Sequence, residues 1–168
     1  MNTHVIKIFT DGSCNPKYNI GTWAAILLYD NEKIKLTGES IDTTHQRMEL
    51  LAVIKSIEYI DEKFDKATLV IYTDSQYVVR IADRKDKLLK NKFITKKGDL
   101  LHNSYLIEAL IRQIETHTIE FIKVKAHQKP VPDEKTGLEI NAINYNIEVD
   151  KLARNRLRDI VNRAHPDL

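Results

Sequence analysis

Two stretches of the chain end alike: Ile8-Phe9-Thr10-Asp11-Gly12-Ser13 and Val70-Ile71-Tyr72-Thr73-Asp74-Ser75. Each runs from apolar residues through Thr to Asp and then to a small residue. Val5 to Thr10 reads as a strand rich in β-branched and apolar side chains, closed by turn chemistry from Asp11 to Pro16. Thr68 to Tyr72 reads as another, closed by Thr73-Asp74-Ser75. Laid side by side and parallel, the two would bring Asp11 and Asp74 to one crevice at their carboxyl ends, the usual ligand position in an open α/β sheet.

The rest of the chain supplies the frame. Gly21 to Tyr29 is a second, well-buried strand; Asp30-Asn31 is a hairpin signal; Lys33 to Ser40 alternates as a half-exposed third strand. Thr43 or Thr44 caps a helix carrying Met48, Leu51, Ile54, Ile57 and Ile60 on its apolar face. Ser75 to about Asn91 forms one or two short helices, and a further helix runs from about Asp99 to Glu115. Ile119 to Val124 is the fifth strand. Gln128 to Ile143, with Pro130, Pro132 and Gly137, reads as a polar loop, and Asn146 to Val161 as a final amphipathic helix. Strands joined by short turns form an antiparallel meander, and strands that follow helices join as parallel neighbours through right-handed crossovers. The predicted fold is α/β: a mixed five-stranded sheet, antiparallel meander plus two parallel strands, with helices on both faces.

A chain of 168 residues that is 42% hydrophobic suits a single domain, residues 1–168. Cys14 is the one cysteine, so no internal disulfide forms, which fits a reducing, cytoplasmic setting. The N-terminus carries no secretory pattern, and the longest apolar run, Trp23 to Tyr29, is far short of the ~20 residues of a membrane span. A monomer with no membrane partner is expected. The net charge of +2 is nearly balanced, but Arg80 to Lys97 holds eight basic residues against two acidic ones, a local charge of +6.

Two carboxylates held close together repel unless a cation neutralises them. Clustered oxygen ligands favour Mg²⁺ or Mn²⁺ over zinc. His4, His45, His102, His117 and His165 show no zinc-ligand spacing with Cys14. Alone, each Asp would read as a turn residue that ends a strand; their duplication in one context points to a site. Glu49 and Asp150 fall in the first turns of their helices, where the macrodipole favours acids in any protein.

Five motifs narrow the reading. Asp11-Gly12-Ser13-Cys14, Thr43-Thr44-His45-Gln46-Arg47-Met48-Glu49-Leu50, Thr73-Asp74-Ser75-Gln76-Tyr77-Val78, Val124-Lys125-Ala126-His127 and Asn146-Ile147-Glu148-Val149-Asp150-Lys151-Leu152-Ala153 resemble type 1 ribonuclease H, in the family's order and across Phe9 to Arg154. The resemblance implies the ribonuclease H-like fold and hydrolysis of the RNA strand of an RNA–DNA hybrid duplex, with 5′-phosphate and 3′-hydroxyl products. It implies Asp11, Glu49, Asp74 and Asp150 as catalytic carboxylates and metal ligands for two Mg²⁺ ions, with Mn²⁺ as a possible substitute. The ions would stand ~3.5–4 Å apart about the scissile phosphate. No covalent intermediate is implied, so Cys14 is not a nucleophile. His127 matches the family's mobile histidine, which handles protons or assists product release.

For substrate binding the resemblance implies Cys14, Asn15, Thr44, His45, Gln46 and Gln76 near the minor groove, where the 2′-hydroxyls lie. It places Lys85, Lys87 and Lys90 on the basic protrusion that grips the DNA strand. The chain departs from the family in several places. His45 stands where the family usually has Asn. Asn15 to Gly21 has fewer glycines. The basic segment has Phe93 and no Trp. The stretch after His127, through Gln128 to Gly137, is longer than in the compact bacterial pattern. The alternatives are another nuclease on the same fold (a resolvase, an integrase or a reverse-transcriptase-associated domain) and a non-catalytic hybrid-binding module.

Overall fold

The computed structural model describes residues 3–132 and 138–167. Five strands, β1 (His4–Asn15), β2 (Ile20–Tyr29), β3 (Glu32–Ser40), β4 (Ala67–Thr73) and β5 (Thr118–Lys123), form one sheet in the order β3-β2-β1-β4-β5. The β1–β2 and β2–β3 pairs are antiparallel, and β1–β4 and β4–β5 are parallel. This is the mixed sheet expected from the sequence.

Alternation along the strands sorts side chains onto two faces. Ile6 and Ile8 of β1 join Leu69 and Ile71 of β4 in a cluster covered by α1 (His45–Lys63), α2 (Gln76–Asp83) and α4 (Ser104–Thr116). Phe9 and Tyr72 face the other way, stacked at a ring-centroid distance of 4.5 Å, under α5 (Leu138–Ala164). Helices therefore cover both faces.

Three boundaries differ from expectation, each for a physical reason. β1 does not stop at Thr10. β4 leaves after the pair Thr10↔Thr73, but β2 stays alongside, so β1 pairs on through Asp11↔Ala24 to Asn15↔Ile20. The turn falls later, where Asn15 Oδ1 accepts from the N–H groups of Lys17 and Tyr18.

α4 starts at Ser104 rather than near Asp99. The residues before it make a small hairpin instead, with Ile94 bridged to Leu100, Leu101 N–H donating to Phe93 O, and Gly98 at φ 90°. α3 (Lys85–Lys90) lies between α2 and this hairpin.

α5 begins at Leu138, so the expected loop to Ile143 is helical in its last six residues. No Pro or Gly follows Gly137 in this stretch, and Ala142, Asn146, Val149 and Ala153 recur at helical spacing on its buried side. Asp133 to Gly137, part of the predicted loop, lie outside the described residues. Among the described residues no helix is long and apolar enough to cross a membrane.

Candidate active site

Register places the first two carboxylates. Thr10 and Thr73 are paired across the parallel strands, so Asp11 and Asp74 follow side by side. Asp11 shares its face with Phe9, on the α5 side of the sheet. Asp150 reaches the same place from α5; it is the thirteenth residue of that helix, not in its first turns, so no helix N-terminus explains it. Glu49 comes from the first turns of α1, on the opposite face. Gly12 lets it approach: a Cβ there would stand 2.6 Å from Glu49 N and 2.8 Å from Met48 C.

The electrostatics follow from this crowding. Asp11 is 6% exposed. Burial, then the Asp74 charge, push its carboxyl up to about 8, with Asp150 adding to the rise and the Gly12 N–H, 2.8 Å from Oδ1, opposing it. Asp74 is also raised, by burial and then by Glu49 and Asp150, while Lys123 and His45 act against the shift.

Glu49 and Asp150 have other partners. Glu49 Oε1 lies 2.8 Å from His45 Nε2, and Glu49 Oε2 accepts from Ser75 Oγ at 2.5 Å. Asp150 Oδ2 lies 2.6 Å from Arg154 Nη2, one helical turn on. Among the described residues no three Asp, Glu, His or Cys side chains enclose one point. The donor set still fits a hard divalent cation. Four carboxylates from β1, α1, the end of β4 and α5 meet at one sheet end, where burial and mutual repulsion raise Asp11 and Asp74, both effects that a cation among them would offset.

Ser75 and Arg154 were not singled out in the sequence. Ser75 follows Asp74 and reads as an ordinary N-cap; it does cap α2, accepting from Val78 N–H, while donating to Glu49. Arg154 could have been found from its i,i+4 spacing to Asp150.

The expected substrate groups divide by position. Thr44, Gln46 and Gln76 are exposed, Thr44 as the N-cap of α1 and Gln76 as the first residue of α2, two after Asp74. His45 is turned to Glu49, and that bond, partly opposed by burial, raises its pKa. Cys14 is half-buried, its Sγ 3.7 Å from Thr43 O, and burial raises its thiol pKa. The Asn15 carbonyl is occupied by its own turn.

On the basic segment, Lys87 and Lys90 are exposed, whereas Lys85 pairs with Glu115 at 3.4 Å. Phe93 is partly buried and packs against the main core. Arg80 and Arg84 border a hollow of about 250 Å³ together with Gln46, Tyr77 and His102. His127 is exposed after β5, with φ 56°.

Comparison with known proteins gives the family and the fold. The RNase H family model matches residues 3–158. A ribonuclease H of Neorickettsia sennetsu is 34% identical over 92% of this chain and 94% of its own length. A ribonuclease HI of Xylella fastidiosa is 36% identical over 80% of this chain and 88% of its own. In structure, the chain is similar to a type 1 RNase H described as having the type 2 active-site motif, with TM-score 0.75 and 20% identity over 95% of this chain and 74% of that one. It also resembles a foamy viral protease-reverse transcriptase solved with dsDNA, with TM-score 0.68 and 17% identity over 92% of this chain and 94% of that one. At these identities the two structures speak to the fold.

Proposed function

The chain belongs to the RNase H family, and from that premise we propose that it is a single-domain endonuclease that hydrolyses the RNA strand of RNA–DNA hybrids. Two divalent cations, Mg²⁺ or Mn²⁺ in its place, would be held by Asp11, Glu49, Asp74 and Asp150. The products would carry 5′-phosphate and 3′-hydroxyl ends. The observation that carries the reading is the register of β1 and β4: Thr10 pairs with Thr73, so Asp11 and Asp74 stand together at one sheet end, where Glu49 of α1 and Asp150 of α5 converge on them.

Bound there, the cations would lower the pKa of the attacking water and offset the charge gathering on the scissile phosphate. The chain's own groups do the rest. Asp11 and Asp74, at the paired ends of β1 and β4, would hold a cation between them. Glu49 would join them by giving up its contact with His45, with Ser75 still orienting its other oxygen. Asp150 would do so by giving up its pair with Arg154. Thr44, Gln46 and Gln76 line the rim and supply donors and acceptors for a shallow minor groove with its 2′-hydroxyls. Lys87, Lys90, Arg80 and Arg84 attract phosphates of the other strand. His127, exposed on its turn, takes up or releases a proton as product leaves.

The test is direct. The protein is incubated with end-labelled RNA–DNA hybrid, with single-stranded RNA and with duplex DNA, each with Mg²⁺ and with EDTA. Cleavage of the RNA strand of the hybrid alone, dependent on Mg²⁺, with 5′-phosphate ends, is expected. Equal cleavage of duplex DNA would favour another nuclease of this fold, and tight hybrid binding without cleavage would favour a binding module.

A further inference from the structure

His127 sits on a strap pinned at both ends. At one end Val124 N–H donates to Thr73 O at 2.9 Å, so the strap leaves from beside Asp74. At the other, Asn144 of α5 grips Val131 twice. Val131 N–H donates to Asn144 Oδ1 at 2.9 Å, and Asn144 Nδ2 donates to Val131 O at 3.0 Å. Between the pins run Lys125-Ala126-His127-Gln128-Lys129-Pro130.

The second pin is specific in its chemistry. A side-chain amide that accepts from and donates to the same residue supplies both bonds a neighbouring strand would give. Val131 lies between Pro130 and Pro132, neither of which has an N–H. The grip therefore cannot slip to either neighbour and keep both bonds. Asn144 also stands six residues before Asp150 on the same helix, so the grip ties the strap to the element that carries a catalytic carboxylate. His127, between the pins, holds a left-handed backbone at φ 56°, which turns the chain sharply at that residue.

We propose that Asn144 is a positioning residue, whose paired hydrogen bonds to Val131 set the reach of the His127 imidazole toward the carboxylates. This rests on the reading of His127 as a proton-handling group in ribonuclease H activity. A loop closure with a purely structural role would lower stability when removed, but would leave the effect of changing His127 independent of the effect of changing Asn144.

The test is a double-mutant cycle on the full chain with hybrid substrate: Asn144→Ala, His127→Ala and both together, with Asn144→Asp as a variant that keeps only the acceptor. Hydrogen exchange at the Val131 amide is measured alongside. Asn144→Ala should lower kcat by a factor close to that of His127→Ala, about 10²-fold or less. KM should stay within about twofold, because neither group is spent on ground-state binding. The double variant should be no slower than His127→Ala. Asn144→Asp should fall between wild type and Asn144→Ala. Protection of the Val131 amide should drop by roughly tenfold or more in Asn144→Ala while the melting curve stays cooperative. A slow His127→Ala beside an Asn144→Ala of wild-type turnover would overturn the proposal alone, as would losses that multiply in the double variant. Wild-type turnover in His127→Ala would overturn the reading of His127 and the proposal with it.

Discussion

His45 Nε2 lies 2.8 Å from Glu49 Oε1, one helical turn along α1, while Ser75 holds the other oxygen at 2.5 Å. Both oxygens of Glu49 are thus engaged by the protein. The imidazole that the sequence pattern assigns to the RNA strand is instead turned to a carboxylate of the proposed metal site.

A bond from His45 that must break before Glu49 serves a cation weakens cation binding by the strength of that bond. With the imidazole half-exposed this is about 1 kcal/mol, or roughly fivefold in affinity. His45→Ala should therefore lower the Mg²⁺ concentration for half-maximal cleavage by about fivefold, and shift the Mg²⁺ dependence of the melting temperature in step. KM for hybrid should hardly change. A raised KM with an unaltered Mg²⁺ requirement would return His45 to substrate contact.

Asp11 gives a pH dependence of unusual sign. Its folded pKa, about 8, lies above the ordinary carboxylate value near 4. Between those values the folded state holds a proton that the unfolded state has released, so stability falls as pH rises through this window. Without divalent cation, the melting temperature should fall from pH 5 to pH 8, and Mg²⁺ should restore it at pH 8. Asp11→Asn should flatten this slope, fold normally, and cleave at least about 10³-fold more slowly, since several kcal/mol of cation-borne stabilisation is lost. Near wild-type cleavage by folded Asp11→Asn would remove the active-site assignment.

The sheet was legible because its signals are local: β-branched runs, a hairpin at Asp30-Asn31, and the repeated Thr-Asp strand ends. The pairing of Thr10 with Thr73 brings the two ends of that repeat together. The end of β1 was not legible, because Asp11 to Pro16 has turn composition and only the continued presence of β2 keeps it extended. The start of α5 was hidden by the prolines and glycine before it. The partners of the carboxylates were least legible. Ser75 looks like a cap and is one, and nothing in the sequence says that its hydroxyl also reaches Glu49.

The basic segment should act through some of its lysines and not others. Lys85 is spent on Glu115, whereas Lys87 and Lys90 face solvent. Each phosphate contact adds about 0.9 to the slope of log K against log salt on a B-form duplex, and somewhat less elsewhere. Lys87→Ala with Lys90→Ala should flatten the salt dependence of hybrid binding by between one and two such contacts and leave kcat unchanged. Lys85→Ala should flatten it little. The measurement is binding to hybrid in EDTA across a salt series. Equal effects from all three lysines would show that the Lys85–Glu115 pair opens on binding.

Gly12 is where the fold and the chemistry constrain the same atom. A Cβ at Gly12 would meet backbone, Glu49 N at 2.6 Å and Met48 C at 2.8 Å, so the first turn of α1 must move to admit it. A Cβ at Gly21 would come as close, at 2.6 Å, but to side-chain atoms, Met48 Cγ and Thr43 Cγ2, which rotate more readily. Both substitutions overpack the core and should cost about 1–3 kcal/mol of stability. They should separate in activity. Gly12→Ala displaces the backbone that carries Glu49 relative to Asp11, and a displacement near 1 Å in an assembled site costs about 10²-fold. Gly21→Ala leaves that backbone in place and should keep turnover within a fewfold of wild type. Denaturant melts and steady-state rates on the two variants, compared at equal loss of stability, decide it. Comparable turnover in the two would show that the approach of α1 to β1 serves packing alone, and that Glu49 reaches the other carboxylates through its side-chain rotamer rather than through the placement of its helix.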